Sequence, residues 1–347
     1  MIPAALPITV AILTRNEESR IERCLRSLEV SGAAEILVID NGSTDATLDK
    51  VAAFREREFG PPIRMVHSGA NHLGRSRQKA AELAGFSWIA FLDADCVAPE
   101  GWLRGLYESF QRRGGAKLLA AGSGNFSPAS GSDFHRALRL MLASPLGHFG
   151  SLQARLLASA REVSHLPTCN VLYHRDRLLE AGGFSRDFEF VCEDLELSVR
   201  ARKQGWRLLY APGWEVEHDH RASTGDWARK MFRYGRGQVL VFRKHKKHAL
   251  GMKSLPFLFG AFFVISAVAK PALFCAGIAA YAAGIVAVSL WLACRGQQPR
   301  LAPKIAVLLA VTHWGYAFGE LAQAGISLFA ATRQVLGSVG QQQDAKV

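Results

Sequence analysis

The stretch that decides the fold is Trp88-Ile89-Ala90-Phe91-Leu92-Asp93-Ala94-Asp95. Its short apolar run, stopped by polar residues, has the length and composition of a strand buried on both faces. Two carboxylates then follow, two positions apart. Toward the N-terminus the same unit recurs. Ile8–Leu13 runs into Thr14-Arg15-Asn16-Glu17, and Ile36–Ile39 runs into Asp40-Asn41-Gly42-Ser43-Thr44-Asp45. Ile63–Val66 is a further strand. Between these runs lie helical spacings over Glu17–Leu28 (Ile21, Leu25, Leu28), Thr44–Phe54 (with Ser43 or Thr44 as N-cap) and Gly74–Ala84. Strand–helix alternation with short loops predicts an α/β, Rossmann-like, mostly parallel sheet with helices on both faces. Such sheets bind ligands at the carboxyl ends of their strands, so the three polar clusters are expected to meet in one crevice.

Toward the C-terminus the pattern weakens over 114–165. Gly, Ser and Pro around Gly122–Ser132 predict a loop, and Leu138–Arg161 has partial helical character with a break near Gly147–Ser151. It sharpens again at Cys169-Asn170-Val171-Leu172, Gly182-Gly183-Phe184 and Glu193-Asp194-Leu195-Glu196. The last opens a helix over Leu195–Lys203, stopped by Gly205, and a strand follows at Arg207–Ala211. Beyond Leu255 the chain is almost uncharged. Leu255–Ala269, Ala272–Cys294 and Ile305–Ala331 are candidate spans, against the roughly 20 apolar residues a crossing needs. The first is short and could lie at the interface, so two to three crossings are expected. The plan is a domain over 1–245 (halves 7–112 and 113–240), a membrane domain over 246–335, and a polar tail over 336–347.

The 347 residues carry a formal charge of +12. That balance suits nucleic acid, anionic lipid or phosphorylated ligands. No nucleic-acid-binding module is recognisable. The cluster Arg243, Lys244, Lys246, Lys247 precedes the apolar region, as a cytoplasmic membrane flank does. With three crossings, Arg243–Lys253 and Arg295–Lys304 fall on one side and Lys270 on the other. The six cysteines have no zinc spacing and read as reduced thiols. Met1–Pro7 has no signal-peptide pattern, which predicts a cytoplasmic first domain.

Asp93 and Asp95 can together meet a divalent cation or its bound phosphates; oxygen ligands suit Mg²⁺ or Mn²⁺. Asp40 closes a strand-to-helix turn and is also placed to accept a ribose hydroxyl or a base. Glu193 and Asp194 suit the positive end of a helix, and one of them suits a general base. His218-Asp219-His220 offers an imidazole to the Asp95 cation, or a plain surface pair. Trp227–Gly237 carries Arg229, Lys230, Arg233 and Arg236. It reads as a diphosphate clamp, a nucleic-acid contact or an interfacial helix. Glu320, inside the last apolar run, is expected to face protein or water.

Taken in order, PITVAILTRNEESRIERCLRSL, EILVIDNGSTDAT, GRSRQKAAELAGFSWIAFLDADC and CNVLYHRDRLLEAGGFSRDFEFVCEDLELSVRARKQGW resemble the family 2 glycosyltransferases with their GT-A fold, over roughly 7–240. The resemblance implies nucleotide contacts at Thr14, Asn16, Glu17, Asp40 and Arg77, and a metal and diphosphate motif at Asp93 and Asp95. It implies a catalytic base at Asp194 beside Glu193, and a metal-assisting His best matched by His218, with His220 as the alternative. Arg233 and Arg236 remain diphosphate-clamp candidates. The family's processive synthases carry a QxxRW motif, whereas this chain has Arg233-Tyr234-Gly235-Arg236-Gly237. The implied reaction is therefore inverting, Mg²⁺- or Mn²⁺-dependent transfer of one sugar. The donor would be a UDP- or GDP-sugar and the acceptor a lipid-linked or glycolipid species, at a bacterial-type plasma membrane. Processive polymer synthesis, nucleotidyl transfer and non-catalytic nucleotide-sugar binding are the alternatives.

Overall fold

The computed structural model describes residues 5–57, 59–69, 72–152, 156–246 and 255–344, with side chains at 148, 331 and 333–344 excepted. Met1–Ala4, and the flank residues Lys247 and Lys253, lie outside the described residues. The first half-domain runs β1 (Leu6–Thr14), α1 (Ile21–Ser27), β2 (Ala33–Asp40), α2 (Thr47–Arg55), β3 (Ile63–His67), α3 (Leu73–Leu83) and β4 (Trp88–Asp93). There follow β5 (Cys96–Val97), α4 (Trp102–Arg112), β6 (Leu118–Gly122), β7 (Asn125–Phe126), α5 (Asp133–Leu142), α6 (Pro145–His148) and β8 (Arg161–Glu162). The second half closes with β9 (Asn170–His174), α7 (Arg175–Glu180), α8 (Glu193–Lys203), β10 (Arg207–Tyr210), β11 (Val216–His218) and α9 (Thr224–His245). The C-terminal helices are α10 (Leu255–Ala269), α11 (Pro271–Arg295) and α12 (Ala302–Asp344).

The main sheet has the order β3-β2-β1-β4-β9-β6-β10-β8. Strands β3, β2, β1 and β4 pair in parallel, as the alternation predicts, and β9 runs antiparallel between β4 and β6. Both sheet faces are covered. Ile8, Val10, Ile12 and Leu92 pack with α1 and α4 on one face, and Ala11, Leu37, Phe91 and Val171 pack with Ala80 and Phe184 on the other. At roughly 1.5–3 kcal/mol per buried large apolar side chain, this double burial holds the strands in register. A second sheet, β5-β11-β7, sits at the carboxyl end of β4 and fixes the loop that carries Asp95.

The expected start and cap of α2 need correction. α2 starts at Thr47, not Thr44, and neither Ser43 nor Thr44 caps it. The Ser43 hydroxyl instead accepts from the Asn16 amide, and the Thr44 amide donates to the Asn16 side chain. Leu138–Arg161 has the expected partial helical character, broken near Gly147–Ser151. α5 ends at Leu142, α6 is a single turn, and α-helix is absent from the described residues between 149 and 161. The chain leaves α6 at Phe149 with φ 46°, and Gly147 packs so closely that a Cβ there would lie 2.1 Å from the Met141 carbonyl.

α11 and the stretch Pro299–Ala330 are long and apolar enough to cross a membrane. α10 has 15 residues, about 22 Å at 1.5 Å each, which is short of a roughly 30 Å hydrocarbon core. Only 11% of α11's most apolar window is buried against protein, but 44% of the later span's window is. The difference has a cause. α12 packs along α9 and α5, and one core joins Phe134, Leu138, Met141, Trp227 and Met231 to Leu292, Ile305, Leu309 and Tyr316. Packing therefore runs continuously across residue 245. Within the expected polar tail, residues 336–344 continue α12.

Candidate functional site

The carboxyl ends of β1, β2 and β4 meet, and their loops interlock. Asn16, at φ 55°, bonds Ser43 and Thr44 from the next loop; its own carbonyl accepts from Arg221 at 2.9 Å. The Glu17 amide donates to the Thr47 hydroxyl at 2.7 Å. Asp40 is buried and accepts from the Gly42 and Ser43 amides at 3.1 Å, closing an Asx-type turn. Thr14 is buried too, and its hydroxyl has no hydrogen-bond partner among the described residues.

Pairing of His218 with Cys96 across β11 and β5 carries the His218 ring to the acidic loop. Its Nε2 lies 3.2 Å from Asp95 Oδ2, and the Asp219 amide donates to the Asp95 carbonyl at 2.8 Å. Burial alone would lower the His218 pKa, but Asp95 outweighs it and pushes the imidazolium up to about 10. Burial would raise Asp95, yet His218, Lys230 and Arg20 hold it well below the usual carboxylate range. Glu17 is raised to about 7 by burial and by the neighbouring Asp95 charge, against Arg20 and Arg221.

Arg77 links the two halves. Its guanidinium is 3.2 Å from Asp93 Oδ1 and 2.9 Å from Glu193 Oε1, and it donates to the Thr168 carbonyl. The side chain is buried, and burial would lower its pKa; Glu193, Asp93 and Asp194 more than reverse that and keep it cationic. Glu193 is raised to about 7 because burial outweighs Arg77. α8 begins at Glu193, two residues before the expected start, because Cys192 enters the helix at φ 66°. Both acids therefore sit in the first turn. Asp194 accepts from the Leu195 amide at 2.7 Å and lies 3.3 Å from His165 Nε2. Burial opposes its ionisation, but His165, Arg77 and the Leu195 amide hold it well below the usual carboxylate range.

These groups border a cleft of about 620 Å³ lined by Asn16, Glu17, Arg77, Asp93, His165, Glu193, Asp194, His218, Lys230 and Arg233, among others. Asp95 sits beside the lining residue His218. Thr14, Asp40 and Arg236 do not line it. Arg233 lies over Phe190 at the cleft, whereas Arg236 turns away and donates to Gln323 of α12 at 3.0 Å. The clamp pair is thus divided. Sequence reasoning missed His165, which sits in a stretch without periodicity. It also missed the buried grouping of Cys96 and Cys169 with His218, which pairing of distant strands creates.

Residues 9–176 match the family model described as glycosyl transferase family 2. A pre-mycofactocin glycosyltransferase of Mycobacterium tuberculosis is 29% identical over 254 residues, covering 71% of this chain and 50% of that protein, so the chain spans about half the relative's length. An N-acetylglucosaminyl-diphospho-decaprenol L-rhamnosyltransferase of the same species is 28% identical over 244 residues, covering 63% of this chain and 78% of that one. A mannosyltransferase of Pyrobaculum calidifontis, solved in complex with GDP-Man and Mn²⁺, superposes with a TM-score of 0.56 at 18% identity, over 90% of this chain and 88% of that chain. It shares the GT-A fold. With the sheet order and the strand-end acids, these matches identify residues 9–176 as a family 2 glycosyltransferase region.

Proposed function

We propose that the protein transfers one sugar, with inversion, from a nucleotide-diphosphate sugar to a lipid-linked acceptor at the membrane. The single observation that carries this reading is the cleft itself. Asp93, Glu193, Asp194 and His218 line it together, and buried Arg77 bridges Asp93 to Glu193. Asn16 and Glu17 stand at the end where a nucleotide is expected, and Arg77, Arg233 and Lys230 offer positive charge toward a diphosphate.

The acceptor hydroxyl gives its proton to Asp194 as its oxygen bonds to the anomeric carbon and the bond to the diphosphate breaks. The low pKa keeps Asp194 ionised, and hydrogen bonds from Leu195 and Thr168 fix its orientation. Attack from the side opposite the leaving group inverts the centre. Asp95 and His218 suit a Mg²⁺ or Mn²⁺ ion through one carboxylate oxygen and one imidazole nitrogen, while Asp93 is engaged by Arg77. Such an ion, when bound, neutralises charge on the departing diphosphate.

Support for the acceptor comes from the apolar helices that adjoin the cleft through α9, and from the decaprenol-linked substrate named for the rhamnosyltransferase relative. The cysteines and basic flank fit a cytoplasmic catalytic face. The test is mass spectrometry of lipid extracts from cells with and without the active protein. A lipid-linked glycan longer by one sugar is expected. Unchanged lipids, or a ladder of long polymers, would overturn the reading.

A further inference from the structure

The geometry points to a second cation site, built from Cys96, Cys169 and His218, that takes a thiophilic ion of the Zn²⁺ class and shares His218 with the Asp95 site. The three residues are buried, and each offers a ligand atom within 4.8 Å of the other two. Tetrahedral zinc places its thiolate sulfurs about 3.7 Å apart, so small side-chain rotations close the set. His218 has capacity for this. Its Nε2 faces Asp95, while Nδ1 is buried with no hydrogen-bond partner among the described residues.

The surroundings suit a thiolate ligand. The Asn125 side-chain amide donates to Cys169 Sγ at 3.1 Å, an outer contact that favours sulfur as acceptor. Cys169 and His218 line the cleft, so an ion has a way in, and a fourth ligand can be water. Two sulfurs and one nitrogen prefer Zn²⁺ over Mg²⁺ or Mn²⁺, which favour oxygen. With Nδ1 on the sulfur-site ion, the ring's remaining proton stays on Nε2, which then donates to Asp95 and offers no lone pair to a second ion. Zn²⁺ thereby opposes the ion used for transfer. That antagonism rests on the donor-site reading above; the sulfur site does not.

Co²⁺ is the direct probe. Added to the chelator-treated full-length protein, it is expected to give a near-ultraviolet thiolate-to-cobalt charge-transfer band that Zn²⁺ removes and Mg²⁺ does not. Cys169→Ser and Cys96→Ser should each weaken Zn²⁺ binding, measured by equilibrium dialysis, by at least about tenfold. The unmodified protein carries the spectral test even if a variant fails to fold. Absence of the band, or Zn²⁺ binding unchanged in both variants, overturns the site. If the band appears but Zn²⁺ leaves Mn²⁺-supported transfer unaffected, the antagonism fails while the site stands.

Discussion

His165 Nε2 lies 3.3 Å from Asp194 Oδ2, and among the described residues neither ring nitrogen has another hydrogen-bond partner. The imidazole is thus positioned to hold the carboxylate ionised. Burial acts in the opposite direction, so loss of His165 should move the Asp194 pKa upward. Asp194 works as a base only when ionised. The acid limb of the pH–rate profile should therefore shift to higher pH in His165→Gln, with kcat lower by about tenfold and the donor KM little changed. A profile identical to the unmodified protein would remove His165 from the mechanism.

Glu196 is fully buried and faces Arg200 at 3.1 Å, His245 at 3.1 Å and Lys244 at 3.4 Å, which docks α8 on the end of α9. Burial opposes its charge, but these partners outweigh it and lower its pKa. A carboxylate with a depressed folded pKa contributes stability above its unfolded value, and that contribution is lost as pH falls. Glu196→Gln should cost about 3 kcal/mol at neutral pH. The gap between the two proteins should close on acidification below about pH 4.3. Chemical denaturation across pH in detergent reads both effects.

The crossing of α9 and α12 depends on missing side chains. A Cβ at Gly319 would lie 2.1 Å from the Phe232 carbonyl, and one at Gly235 would lie 2.1 Å from the Tyr316 carbonyl. Gly319→Ala should therefore destabilise by about 1–3 kcal/mol, measured as a lower midpoint of thermal unfolding in detergent. Gly284 on α11 has open space around its Cβ position. Gly284→Ala should instead be neutral or stabilising by up to about 1 kcal/mol, the helix-propensity gain. Equal effects at the two positions would contradict the close crossing.

What could be read in the sequence follows from what the chain writes locally. Ile8–Leu13, Ile36–Ile39 and Trp88–Leu92 announce buried parallel strands because both faces need apolar side chains. Their polar ends, at Asn16, Asp40 and Asp93, then follow from the topology. The start of α8 was placed late because Cys192 takes a left-handed conformation that glycine or asparagine would have signalled. The meeting of Cys96, Cys169 and His218 depends on β9 lying against β4 and β11 against β5, pairings between segments more than seventy residues apart. Arg233 meets Phe190 and Arg236 meets Gln323 of α12, partners far along the chain that the local pattern does not encode.

The most direct test of the account is Asp194→Asn, which keeps the shape and removes the base. Donor binding by isothermal titration and sugar transfer to the lipid acceptor should be measured on the same preparation. Donor Kd is expected to stay within about twofold of the unmodified protein while kcat falls by about 10²–10⁴. Transfer at the unmodified rate would contradict it.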